Sequence, residues 1–426
     1  MYMPEEDLDT KSSQLDTIIG WLTVALAFSL PLYRPWVTLA TTLLLALWLF
    51  GGGLRRRCAQ LRHHHLSHAV LLFVALNVVS LAWTNDFHAG LKYLTKYRYL
   101  LLIPILATTV RPVFRRYAVT TFLLATVGAV VLSFSVLTGI LEFGGAHPGN
   151  PSPIMAHLDF SLILALAALL LLKRSLFGEM DRRGRLIHSC AFLFVVAGLA
   201  INIGRSGQLA FLGGLIVLVT YWARGRSPRA VVGVFTASMI TLALVWWASP
   251  SFQSRIAAGR EEMRSTFTEH RYDTSFGGRV AAMKVAGEIF RRHPLLGAGV
   301  GGNIAEFRDL LDTEFQELKP SIYWYRHFHN QYAQVATELG LVGLLALGWI
   351  FWELMRGCYP RREIAAAALV LGTVYLLGFV GEPYLRKQVP VVTFALFAGL
   401  LSASQLDQRR SEIDGGEQFE NGEGKE

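Results

Sequence analysis

Apolar runs of about 17 to 25 residues, separated by short polar loops, recur along almost the whole chain, and a helix of that length crosses a hydrocarbon core of roughly 30 Å. Lipid cannot satisfy backbone N–H and C=O groups, so such runs must be helices. The pattern predicts an all-α polytopic membrane protein with about twelve spans, near residues 15–33, 36–51, 68–84, 97–110, 117–141, 154–173, 188–204, 207–222, 230–248, 330–355, 362–381 and 388–405. One stretch breaks the pattern. Residues 249–329 carry 11 Lys/Arg and 10 Asp/Glu over 81 residues and show helical periodicity of their own. The chain thus divides into an N-terminal tail (1–14), spans 1 to 9 (15–248), a long, partly helical polar loop (249–329), spans 10 to 12 (330–405) and an acidic tail (406–426) polar enough to be disordered.

Charge then sets orientation. Alternate loops hold 20 Lys/Arg on one side, and the short loops of the other side hold 7. This bias predicts cytoplasmic termini and an outward-facing 249–329 loop, whose own arginines do not count because long loops translocate largely regardless of charge. Composition agrees: 53% of residues are hydrophobic and 17% charged, against about 25% charged in a typical soluble protein. The net charge of +9 lies in orienting loops, which argues against nucleic acid as a partner. Cys58, Cys190 and Cys358 have no metal-ligand spacing and predict no structural disulfide. The acidic N-terminus lacks a basic n-region, so the first span is expected to be retained. His63, His64, His65 and His68 read as part of a basic topology-fixing loop, with metal binding as the lesser alternative.

Candidate chemistry gathers on the outer side. Arg205 lies in the turn Asn202-Ile203-Gly204-Arg205-Ser206-Gly207, where an ionisable group near the membrane phase is either functional or snorkelling. Arg279 opens a stretch with Val280, Met283, Ala286, Ile289 and Phe290 at helical spacing, which predicts an amphipathic helix on or near the membrane surface. The turn from Gly297 to Gly302 offers backbone N–H groups for an anion, although glycine spacing alone is a weak signal. His329, at the entrance to the tenth span, is a general base or a helix cap, with His327 as its competitor. The turn-rich loop 142–157, with His147 and His157 as polar interface residues, is expected to line the same vestibule. Asp309, Asp312, Glu314 and Glu317 read as a solvated face, and no outward carboxylate pair suits a hard metal. There is no P-loop and no dinucleotide fingerprint, so outward chemistry requires a pre-activated donor.

Taken together, Gly204-Arg205-Ser206-Gly207, Gly278-Arg279, the run from His293 to Gly301, His329-Asn330-Gln331-Tyr332 and the run from Glu338 to Gly343 resemble the O-antigen ligase family. That family belongs to a larger group with O-antigen polymerases and protein O-oligosaccharyltransferases. The resemblance implies a membrane glycosyltransferase of the GT-C type, in a Gram-negative inner membrane with its active site facing the periplasm. Its donor is a glycan on undecaprenyl diphosphate and its acceptor the lipid A core oligosaccharide, with no metal or other cofactor. It further implies Arg205 and Arg279 as cations for the diphosphate, His329 as the base and Asn330 as a further substrate-binding residue. Arg386 and Lys387 are expected to steer a phosphorylated acceptor or to anchor topology. A polymerase with the same donor and a secondary transporter stand as alternatives, the latter weakened by the lack of a two-fold repeat. Oligomeric state is not legible.

Overall fold

The computed structural model describes residues 5–142, 145–226, 229, 232, 233, 236 and 250–422, with side chains described over 14–142, 145–226 and 257–409. The expected ninth span, 230–248, lies outside the described residues apart from three scattered positions. Described secondary structure is helical except for an isolated bridge between His147 and Asn150. The helices are α1 (Glu5–Ser29), α2 (Arg34–Phe50), α3 (Leu54–Leu61), α4 (His65–Val79), α5 (Phe87–Tyr97), α6 (Leu102–Thr109), α7 (Pro112–Leu137), α8 (His157–Phe177), α9 (Arg182–Ile201) and α10 (Arg205–Ala223). After the gap follow α11 (Pro250–Thr268), α12 (Ser275–Arg292), α13 (Gly302–Thr313), a single turn Lys319–Ile322, α14 (Gln331–Arg356), α15 (Arg362–Gly378) and α16 (Gln388–Gly422).

Among the described residues, seven helices are long and apolar enough to cross a membrane: His65–Ala82, α7, α8, α9, α10, α14 and Gln388–Arg409. The pair α2 and α3, bent by 102°, makes an eighth if counted as one broken span. The chain is therefore an all-helical, polytopic membrane protein. Three expected spans are shorter than the pattern indicated. The apolar part of α1 is Gln14–Ser29, α15 has 17 residues, and the 97–110 stretch yields only the 8-residue α6. In the last case Pro104, in the first turn, has no N–H to extend the helix backwards, and Arg98–Leu101 winds as a 3₁₀ turn instead. At the other end of the chain, α16 runs on as helix to Gly422, into the tail whose composition predicts disorder; Gln, Arg and Glu are good helix formers and extend a helix already buried upstream.

α8 is apolar on all sides and buried from Ser161 to Leu172, as befits the centre of a bundle. The polar segment builds a second, smaller core, with Ala281, Ala282, Val285, Ala286 and Ile289 of α12 packed with Ile304, Phe307, Leu310 and Leu311 of α13 and with Tyr325 and Phe328. α12 forms where the sequence predicted a helix, but its buried face is Gly278, Ala281, Ala282, Val285, Ala286 and Ile289, and Met283 is exposed. Small residues on that face let α12 dock against its neighbours, so its buried side packs on protein.

α14 is broken at Gly340 (φ 62°, ψ −153°). The orphaned backbone groups are satisfied by the 294–299 loop, which lies in the break: Ala298 and Gly299 donate N–H to the carbonyls of Thr337 and Glu338 (2.9 and 3.0 Å), while Leu341 and Val342 donate to Pro294 and Leu295 (2.8 and 3.2 Å). Irregular backbone within a span is tolerated only when protein covers it in this way.

Candidate active site

His329 precedes the N-cap of α14 and has a left-handed backbone (φ 50°), unusual for a residue with a β-carbon and costing about 1–3 kcal/mol. Its N–H donates to Nδ1 of His327 (3.3 Å), and its ring lies 4.2 Å from the His327 ring and 4.9 Å from the Tyr325 ring, centroid to centroid. Nδ1 of His329 is 2.6 Å from Oε1 of Glu382, which is fully buried. Burial alone raises the carboxyl pKa, but the His329 hydrogen bond and the Lys387 charge outweigh it and hold Glu382 at about 2. An ionised carboxylate only accepts, so Nδ1 of His329 carries the proton and Nε2 presents its lone pair. His327 is pushed down to about 3, first by burial and then by His329 beside it, and is neutral near pH 7.

The loop from Phe379 to Lys387, between α15 and α16, brings Glu382 to this point. Gln331 straps the loop to α14 through its N–H to the Phe379 carbonyl (2.8 Å) and its Oε1, which accepts from Leu385 N (2.9 Å). Lys387 Nζ lies 3.0 Å from Oε2 of Glu382 and 3.1 Å from Oδ1 of Asp159, in the first turn of α8. Arg386 is buried, its guanidinium 3.5 Å from the Tyr93 ring centroid and 3.4 Å from Oε1 of Glu338, whose Oε2 accepts from Tyr97 Oη (2.8 Å). Steering and topology anchoring were the two roles expected of Arg386 and Lys387; in the structure both are held in ion pairs, Arg386 buried and Lys387 partly exposed, and burying such cations unpaired would be far costlier.

A cavity of about 290 Å³ is lined by Gly149, His157, Leu158, Ile203, Arg205, Ser275 and Arg279. These residues include the first turns of α8, α10 and α12, and neither α8 nor α10 has a side-chain N-cap. Helix N-termini present unpaired N–H groups and the positive end of the peptide dipoles, a ready receptor for an anion. Arg205 is half-exposed and lies 3.6 Å from Oε2 of Glu262 on α11. No carboxylate lies within ion-pair distance of Arg279 among the described residues. Two tyrosines sit between cavity and base: the Tyr384 hydroxyl meets Ser206 Oγ (3.0 Å) and the carbonyl of the cavity-lining Leu158 (3.1 Å), and Tyr325, packed edge-on against His329, lies over Gly278, next to Arg279, where a β-carbon would collide with its hydroxyl.

The structure therefore brings Arg205 and Arg279 to one cavity, with the 142–157 loop contributing Gly149 and His157 to its lining, while His329 is not among the lining residues and is linked to them through Tyr325. Asn330 caps α14, its Oδ1 accepting from Ala333 N (3.0 Å) and its Nδ2 donating to the Val380 carbonyl (3.2 Å). The glycine turn is not an anion cradle, since the N–H groups of Gly297, Ala298, Gly299 and Val300 go to His293, Thr337, Glu338 and Ser80. His327, His329 and Glu382 are the group, among the described residues, whose ligand atoms lie close enough, within 4.8 Å, to hold a metal ion. Lys387 already neutralises that carboxylate and would repel a second cation. Glu382 and Asp159 escaped the sequence reading, and Lys387 entered it only as a steering or topology residue; a carboxylate and a lysine five residues apart in a short outer loop were the available signal.

Residues 190–348, which contain Arg205, Arg279 and His329, match the family described as O-Antigen ligase. A stretch of 223 residues, 51% of the chain, is 25% identical to the O-antigen ligase of Escherichia coli strain K12 and covers 50% of that protein. The alignment thus spans about half the length of the curated relative. Over residues 190–348, then, the chain is similar to the O-antigen ligase family.

Proposed function

We propose that the chain is a glycan ligase of the GT-C type, which transfers a glycan from undecaprenyl diphosphate to the lipid A core oligosaccharide at the outer face of a Gram-negative inner membrane. The observation that carries this reading is a cavity lined by two arginines, linked through Tyr325 to a histidine that is hydrogen-bonded to a buried carboxylate. The diphosphate occupies the cavity, with Arg279 and Arg205 binding its oxygens in bidentate fashion without loss of charge. Nε2 of His329 takes the proton of an acceptor hydroxyl as that oxygen attacks the anomeric carbon. The bond from this carbon to the diphosphate oxygen breaks, configuration inverts, and undecaprenyl diphosphate leaves with the electron pair, its charge met by the arginines and helix N-termini. Base assistance of this kind contributes about 10² to 10⁴ in rate, and positioned cations at the leaving group a comparable factor. Positioned cations of the protein do the work a divalent ion would otherwise do, so EDTA is expected to leave the rate unchanged.

In vitro transfer tests the reading. Purified protein, an undecaprenyl-diphosphate-linked glycan and lipid A core should yield glycan-bearing lipid A core by gel and mass spectrometry, and His329→Ala or Arg279→Ala should abolish it in folded protein. Longer lipid-linked chains would make the protein a polymerase instead, and an intact donor under all conditions would overturn both readings in favour of transport.

A further inference from the structure

The aromatic residue beside the base has an unusual neighbour. Trp324 is 70% exposed, although its ring packs edge-on against the buried Tyr325 (4.6 Å between centroids), which in turn packs against His329 at 4.9 Å. Two successive ring contacts therefore connect an open indole to the base, within the reach of a short oligosaccharide. Its neighbours along the chain are exposed and carry polar groups: Arg326 is exposed, and Tyr323, 40% exposed, has the Lys319 ammonium 4.8 Å from its ring centroid. An exposed indole with polar groups on the same short segment is complementary to a pyranose, whose C–H bonds carry partial positive charge on one face while its hydroxyls project at the edge. The electron-rich face of an indole attracts such C–H groups as it attracts cations.

We infer that Trp324 is the floor of a sugar-binding subsite, on which a pyranose close to the reacting residue stacks during transfer. This rests on the glycan-transfer reading above. The stacked ring belongs either to the donor glycan or to the acceptor core; the chemistry is shared and the experiment separates the two. An interfacial tryptophan anchor is the competing account of an exposed indole in a membrane protein.

The test uses the full chain in nanodiscs as wild type, Trp324→Ala and Trp324→Phe. Saturation-transfer NMR would be recorded with two soluble probes, delipidated core oligosaccharide and the oligosaccharide released from the donor. Wild type and Trp324→Phe should saturate the ring protons of one probe and Trp324→Ala should not, and the probe affected identifies the source. In the transfer assay, KM for the matching substrate should rise about tenfold in Trp324→Ala with kcat nearly constant, and Trp324→Phe should recover most of the loss. Wild-type binding of both probes by Trp324→Ala, or a change confined to yield and membrane association, overturns the subsite and leaves an anchor. Probe binding that needs Trp324 in a protein that transfers nothing keeps the subsite and removes the ligase. Transfer with both KM values unchanged in Trp324→Ala does the reverse.

Discussion

Glu382 supplies what a bare histidine at a helix start lacks: a fixed acceptor that selects one tautomer. Glu382→Gln keeps the shape but removes the charge, so transfer should fall about 10²-fold while the protein remains folded, as measured in the ligation assay with size-exclusion profiles alongside. Lys387 acts differently, by separating two buried carboxylates. In Lys387→Met, Asp159 and Glu382 face each other without a cation and must share a proton, so activity should drop steeply. The charge-balanced double variant Asp159→Asn/Lys387→Met relieves that repulsion and should recover a large part of the loss; a double as inactive as the single would rule out this electrostatic role. The same pair sets an acid limit. Glu382 is held at about 2 against an ordinary 4.5, so its stabilising contribution is fully present above pH 4.5 and is lost as the pH falls towards 2. In Lys387→Met the thermal unfolding midpoint should begin to fall at a higher pH than in wild type. His329 was visible in the sequence because it stood alone at the mouth of a span. Its partners were not, because Glu382, Lys387 and Asp159 lie 53, 58 and 170 residues away and only the packing of α8, α14 and the 379–387 loop makes them neighbours.

At the level of elements, the break in α14 is the feature on which the site's geometry depends. It lets the 294–299 loop exchange four backbone hydrogen bonds with a span, and it directs the preceding half-helix, with His329 at its head, independently of the half that follows. Gly340 occupies a backbone region essentially closed to residues with a β-carbon, and a β-carbon there would collide with the backbone of Leu295. Gly340→Ala should therefore destabilise by about 2–4 kcal/mol or more, combining backbone strain with the displaced loop. A fall in detergent-solubilised melting temperature and in yield would report it, whereas a wild-type melting curve would mean that the joint is not constrained. Gly297, at φ 66° against the Glu338 backbone, should behave alike. Here the sequence was half legible. The glycines were conspicuous, and their N–H groups suggested an anion cradle, but a local pattern cannot reveal that a distant span has opened and needs those same groups.

Across the whole molecule, the membrane helices were legible wherever an apolar run was long and uninterrupted, because backbone satisfaction in lipid leaves helix as the only outcome. They were less so at 97–110, where Pro104 and Arg98 cut the run into 3₁₀ and α pieces. Orientation rests on charge, and the fold sharpens that argument. The short loops of the site side hold 7 Lys/Arg, of which Arg205 lines the cavity and Arg386 and Lys387 sit in ion pairs, against 20 in the loops of the opposite side, among them those at the opposite ends of α8, α9, α10, α14 and α15. This predicts that the site faces outward, and the exposed cysteines allow a direct check. Cys58, in α3, and Cys358, just beyond α14, belong to the arginine-rich end. In intact cells a membrane-impermeant maleimide should leave both unlabelled and react with them only after lysis. In a variant with Cys58, Cys190 and Cys358 replaced by serine and the exposed Glu317 changed to cysteine, the same reagent should label intact cells. The reverse pattern would put the arginine cavity and His329 on the cytoplasmic side, where a lipid-linked donor that has already crossed the membrane could not reach them, and would remove the ligase reading together with the orientation.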